Sequence, residues 1–106
     1  MEITFAENED GKSAVASLGD VIAVRLAENP TTGYQWAVVD VDRAVLEPQD
    51  ASFLPNSAAI GGGGAKTVRF LAVGKGVARV ELALRRTWEE SASAIQRFGF
   101  MVEVRD

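Results

Sequence analysis

The stretch that decides the fold is Phe98–Val104, with the sequence FGFMVEV, close to the end of a chain of 106 residues. Its large apolar residues, Phe98, Phe100, Val102 and Val104, occupy every second position, and Glu103 lies between two of them. This period of two is typical of a β-strand with one buried side and one solvent-facing side.

The same alternation recurs along the chain. Val21–Leu26 and Val77–Leu84 show it clearly, and the weaker candidates are Glu2–Phe5, Tyr34–Val39 and Lys66–Ala72. Short strands separated by turn signals predict an all-β fold, an immunoglobulin-like antiparallel β-sandwich with Greek-key connections. We expect a short helical turn at Asp42–Leu46, outside this pattern.

Length and composition limit the possible functions. We expect residues 1–106 to form one domain, because 106 residues fit a single core. The net charge of −4 has no basic cluster within it, which argues against a nucleic-acid partner. No apolar run approaches the ~20 residues that cross a bilayer. The N-terminus lacks a leader, so we expect a cytoplasmic protein, or a periplasmic or secreted one whose leader has been removed.

The chain contains neither His nor Cys. The commonest general base and the commonest metal ligands are therefore missing, and a Ser or Thr nucleophile would need Lys or an acid as its base. Lys occurs only at Lys12, Lys66 and Lys75, in turns or beside a glycine run. We expect no enzyme, no metal and no cofactor.

Three connections have unusual compositions: a first loop at Glu28–Gly33, a second loop at Ser57–Ala65 and a third loop at Arg85–Arg97. In immunoglobulin-style order these are the B–C, D–E and F–G loops, with the strands lettered as B Val21–Leu26, C Tyr34–Val39, E Lys66–Ala72, F Val77–Leu84 and G Phe98–Val104. Loops after strands B, D and F emerge at the same end of a Greek-key sandwich. The sequence therefore predicts one surface built from three separate segments.

Each loop also has a purely structural interpretation. Asn29, Pro30 and Gly33 make a good turn without any function, although the hydroxyls of Thr31 and Thr32 would then be left displayed. The four glycines Gly61–Gly64 fit a close backbone approach by a partner, a mobile connector or a linker between two domains.

The third loop combines Arg86 with Trp88, residue types that are enriched at binding hot spots. Trp88 could instead belong to the core, with Thr87 and Glu90 forming a capping box. For Trp36 we predict a core position, because sandwiches bury an aromatic residue on this strand.

Together, the three loops resemble the signature loops of the chagasin family, proteinaceous inhibitors of papain-like cysteine peptidases. The resemblance rests on the hexapeptide Asn29–Tyr34 (NPTTGY), the glycine run Gly61–Gly64 and the pair Arg86-x-Trp88, in the same order. Thr87 departs from the family pattern, which has Pro between the Arg and the Trp. We therefore expect a less rigid third loop.

The resemblance implies a wedge of three loops that enters the cleft of a papain-like cysteine peptidase and inhibits it reversibly and tightly. The first loop would block the catalytic centre through Thr31 and Thr32, and the other two loops would grip the walls of the cleft. The inhibitor is expected to be a monomer when free. The alternative is a non-inhibitory immunoglobulin-like module that binds protein or carbohydrate with the same loop end. The implied peptidase-binding residues are Asn29, Pro30, Thr31, Thr32, Gly33, Tyr34, Gly61, Gly62, Gly63, Gly64, Arg86 and Trp88.

Overall fold

The computed structural model describes residues 1–55, 63–86, 88 and 93–106. Among these residues the regular elements are β-strands and two short 3-10 turns, Glu7–Glu9 and Pro30–Thr32. None of the helices in the described part of the chain is long and apolar enough to cross a membrane. The strands are β1 Glu2–Phe5, β2 Ser13–Ser17, β3 Val21–Glu28, β4 Tyr34–Asp40, β5 Leu46–Pro55, β6 Gly64–Ala72, β7 Gly76–Arg86 and β8 Gln96–Arg105.

The strands form two four-stranded sheets, which confirms the predicted sandwich. Sheet A has the order β1-β3-β6-β5, and sheet B has the order β2-β8-β7-β4. Most neighbours are antiparallel, but β1 runs parallel to β3 and β2 runs parallel to β8. The parallel pair in sheet A arises because the chain crosses to sheet B at β2 and returns at β3, and each crossing reverses its direction.

The core lies between the sheets and is built from the alternating residues of the long strands. Phe100 sits near its centre, with its ring centroid 4.6 Å from Phe5, 6.0 Å from Phe70 and 6.3 Å from Phe98. Trp36 is buried against the same cluster, which confirms its predicted core position. Aromatic rings at these separations add to the free energy of burial.

Two strands were not predicted, β2 and β5. Strand β5 is mostly exposed on both sides and carries Pro48 and Pro55, so it shows no alternation of apolar residues. An edge position explains this composition, because proline is tolerated where one side of a strand has no hydrogen-bonding neighbour. The predicted helical turn before it is a hydrogen-bonded turn in which Val45 and Leu46 donate to the carbonyl of Asp42, and Leu46 already begins β5.

The strands also extend further into the three loops than predicted. Glu28 ends β3, Gly64 and Ala65 belong to β6, Arg85 and Arg86 end β7, and Gln96 and Arg97 begin β8. The ladders continue because the outermost residues still pair, with Glu28 opposite Gly64 and Leu84 opposite Gln96. The second loop joins β5 to β6, two hydrogen-bonded neighbours in the same sheet.

Replacing Phe100 by Ala should lower the free energy of unfolding by about 3–5 kcal/mol, because a buried ring is lost from the centre of the core. Chemical denaturation followed by tryptophan fluorescence measures this change. Met101→Ala is the control, since Met101 lies on the outer side of the same strand, and it should cost less than about 0.5 kcal/mol. Equal costs for the two variants would contradict this description of the core.

Candidate binding site at the loop end

The described parts of the three loops meet at one end of the sandwich, which we call the loop end. Strand pairing brings Glu28 next to Gly64 and Tyr34 next to Arg86. Residues of all three loops, including Asn29, Gly63 and Ile95, line one open cleft of about 730 Å³. The expected convergence of the loops is therefore present in the described residues.

The first loop is a hydrogen-bonded turn organised by Asn29. The Asn29 side-chain oxygen accepts the backbone N–H of Thr31 at 3.1 Å and the hydroxyl of Thr31 at 2.6 Å. Pro30 begins the 3-10 turn, where its fixed φ suits the helical conformation. Gly33 ends the turn with a φ of 80°, in the left-handed region that glycine adopts without strain, and donates its N–H to the carbonyl of Pro30.

The hydroxyls of the two threonines are used within the loop, contrary to the expectation that a turn would leave them displayed. Thr31 donates to Asn29 as described above. Thr32 donates to the backbone carbonyl of Asn29 at 2.7 Å and accepts the N–H of Tyr34 at 3.2 Å. Both residues are exposed, so they offer a partner their methyl groups and their remaining acceptor capacity.

Beneath the first loop, side chains of sheet A bind the backbone of Trp36 in sheet B. The Glu28 carboxylate accepts the N–H of Trp36 at 2.7 Å, and the Lys66 ammonium donates to the carbonyl of Trp36 at 3.0 Å. The two charges are 3.7 Å apart. The Trp36 indole N–H donates to the carbonyl of Ala27 at 2.9 Å. Glu28 was predicted to lie in a loop, but it is the last residue of β3 and faces the interior. Lys66 is a strand residue as predicted, and its side chain also faces the interior.

The second loop is described only at its end, because Gly61 and Gly62 lie outside the described residues. A Cβ added to Gly64 would lie 2.2 Å from the carbonyl oxygen of Leu54, so the pairing of β5 with β6 requires glycine there. Gly64 is buried, which corrects its prediction as an exposed loop residue. At Gly63 an added Cβ would lie 3.0 Å from the carbonyl oxygen of Glu28. The fold itself therefore explains why glycine occupies positions 63 and 64, because a side chain at either would crowd a backbone carbonyl.

The third loop presents Trp88, whose exposure of 76% excludes the core alternative. The Arg86 guanidinium carbon lies 4.6 Å from the ring centroid of Tyr34 and 5.9 Å from that of Trp88. Cation–π contacts of this kind link the third loop to the first. The capping-box residues Thr87 and Glu90 lie outside the described residues.

Two apolar residues of the loop end were missed in the sequence. Ile95 is 61% exposed within the third loop, and Leu54 is 66% exposed at the end of β5 before the second loop. An isolated apolar residue within a polar segment was the signal at Ile95. Exposed apolar side chains gathered at one place mark an interaction surface more often than scattered ones.

Replacing Thr32 by Val should keep the shape of the side chain but remove its hydrogen bonds to Asn29 and Tyr34. We expect faster hydrogen exchange of the Tyr34 amide, measured by NMR, with an unchanged unfolding temperature. Thr4→Val, on an exposed position of β1, is the matched control and should leave the Tyr34 amide unaffected. Unchanged exchange in Thr32→Val would contradict the hydrogen-bonded loop.

Comparison with known proteins identifies the family to which the chain belongs. The family model described as Chagasin family peptidase inhibitor I42 matches residues 15–102. Chagasin of Trypanosoma cruzi is 24% identical over 102 residues, which covers 92% of this chain and 91% of that protein.

Solved structures of other proteins share the fold. The cysteine protease inhibitor EhICP2 of Entamoeba histolytica superimposes with a TM-score of 0.86 at 20% identity, covering 98% of this chain and 96% of that one. PbICP-C, solved in complex with falcipain-2, superimposes with a TM-score of 0.65 at 12% identity, covering 99% and 98%. Since the family model covers most of the sequence, the chain belongs to the chagasin family of peptidase inhibitors.

Proposed function

We propose that this protein is a reversible, tight-binding inhibitor of papain-like cysteine peptidases and that its three loops occlude the active-site cleft. The observation that carries the proposal is a first loop shaped by its own hydrogen bonds, flanked by two other loops at one end of a sandwich. Membership of a family of peptidase inhibitors supports it. The prediction that the chain is not an enzyme is confirmed by the same membership.

In this proposal the tip of the first loop occupies the catalytic centre. Thr31 and Thr32 are exposed and make the contact, while Asn29, Pro30 and Gly33 hold the backbone in shape. A loop that is ordered before binding loses less conformational entropy when it binds. Inhibition of this kind needs shape complementarity and no reactive group, which fits a chain without Cys or His.

The flanking loops supply the remaining contacts. Gly61 and Gly62 would let the backbone lie against one wall of the cleft, since no Cβ stands in the way. Gly63 lets the second loop lie close to the carbonyl of Glu28 beside the first loop. Gly64 contributes indirectly, because it lets β6 begin close against β5. On the other side Trp88 is the anchor, and Arg86 supports its indole while stacking on Tyr34. Buried aromatic anchors carry much of the binding free energy at protein interfaces.

Titration of papain with the purified protein should abolish peptidase activity, and the activity should return on dilution because no covalent bond forms. Residual activity against a fluorogenic peptide measures both effects. The inhibitor itself should remain uncleaved in the mixture, as mass spectrometry checks. A folded protein that leaves papain and several cathepsin-like peptidases uninhibited at micromolar concentration would contradict the proposal.

Replacing Trp88 by Ala should raise the inhibition constant by about thirtyfold or more, the equivalent of about 2 kcal/mol for a hot-spot tryptophan. The unfolding temperature should stay unchanged, because the indole is exposed in the free protein. Leu18→Ala is the matched control, an exposed apolar residue at the opposite end of the sandwich, and should inhibit like the unmodified protein. Loss of folding in Trp88→Ala would show that the indole is a core residue.

A further inference from the structure

Two charged side chains occupy core-facing positions directly beneath the first loop. Glu28 continues the inward-facing row of β3 that contains Ile22, Val24 and Leu26, and Lys66 continues that of β6. Their side chains are only 5% and 18% exposed. Burial of a charge is unfavourable unless the group is paired and hydrogen-bonded, and apolar residues would fill the same positions at no such cost. The presence of this charged pair in the interior therefore indicates that nearby polar groups require charged partners.

These polar groups are the backbone N–H and C=O of Trp36, which lies on β4 at the edge of sheet B. In an antiparallel strand the N–H and C=O of one residue point to the same side. The N–H of Trp36 donates to the Glu28 carboxylate, and the C=O of Trp36 accepts from the Lys66 ammonium. Both side chains belong to sheet A. The two side chains thus occupy the edge of β4 at this residue, in the place of a neighbouring strand.

These contacts close the first loop at its base. Residues 29–35 join Glu28 to Trp36, so the bond between the Glu28 carboxylate and the Trp36 N–H ties the two ends of that connection together. The hydrogen bonds of Asn29 and Thr32 fix the shape of the tip, but they do not fix how the tip stands on the sandwich. Contacts between the end of β3 and the beginning of β4, which flank the loop, determine that orientation.

We propose, resting on the inhibitory function proposed above, that Glu28 and Lys66 are positioning residues for inhibition. Neither side chain contacts the peptidase. They hold β4 against sheet A, so that the first loop is presented in one orientation before binding. Without them the loop would have to be ordered during binding, which weakens affinity.

The test uses a double variant, Glu28→Leu with Lys66→Met, which removes both charges together. Replacing both partners of a buried ion pair by apolar residues is often neutral for stability, so this variant should fold. Its inhibition constant for papain, measured well below the unfolding temperature, should rise at least about tenfold through the lost pre-organisation. Glu28→Gln, which keeps an acceptor oxygen for Trp36, should lose less. Glu103→Gln is the control, since Glu103 pairs with Arg105 on the exposed surface.

Hydrogen exchange provides a readout that general destabilisation would not reproduce. In the double variant the amides of Thr32, Gly33 and Trp36 should exchange faster, while those of Val80 and Val102 in the core should exchange as in the control. A folded double variant with control-like inhibition and control-like exchange at the loop would overturn the proposal.

Failure of the proposed function gives a different result. If the unmodified protein does not inhibit, the loop amides alone decide the positioning role: faster exchange in the folded double variant supports it, and unchanged exchange overturns it. If the double variant does not fold, the same comparison is made with Lys66→Met, which removes the donor to the Trp36 carbonyl.

Discussion

The geometry of the loop end depends on the polar contacts that span the gap between the two sheets where the chain crosses from β3 to β4. Glu28 and Lys66 of sheet A bind the backbone of Trp36 in sheet B, and the Trp36 indole binds back to Ala27. The core would hold the sheets together without them, because its aromatic and aliphatic residues already pack across the interior. The polar contacts add a fixed geometry at the loop end.

The three loops differ in how their shape is maintained. The first is self-sufficient, because Asn29, Thr31 and Thr32 satisfy one another and the backbone of the turn. The third depends on its neighbour, since Arg86 makes cation–π contacts with both Tyr34 and Trp88. An inhibitor that works by complementarity requires such order before binding, and the family places this chain among peptidase inhibitors.

Much of this architecture could be predicted from the period of two, because the apolar residues at every second position identify the buried side of a strand. The prediction failed for β5, where an edge strand exposed on both sides leaves no alternation. It also stopped too early at Glu28, which is in phase with the apolar row of β3, because a charge at that position was interpreted as the start of a loop. Lys66 was predicted to be a strand residue, but its position facing the interior was not predicted. The roles of the Thr31 and Thr32 hydroxyls could not be predicted, because composition does not show whether a hydroxyl bonds to its own loop or to a partner.

The most direct test of the account is a crystal structure of the protein bound to papain, compared with the free protein over Asn29–Gly33. The account predicts that this segment lies in the active-site cleft, keeps the hydrogen bonds of Asn29 and Thr32, and moves by less than about 1 Å, as pre-organised inhibitors do. A first loop that rearranges on binding, or a complex formed through another face of the sandwich, would contradict it.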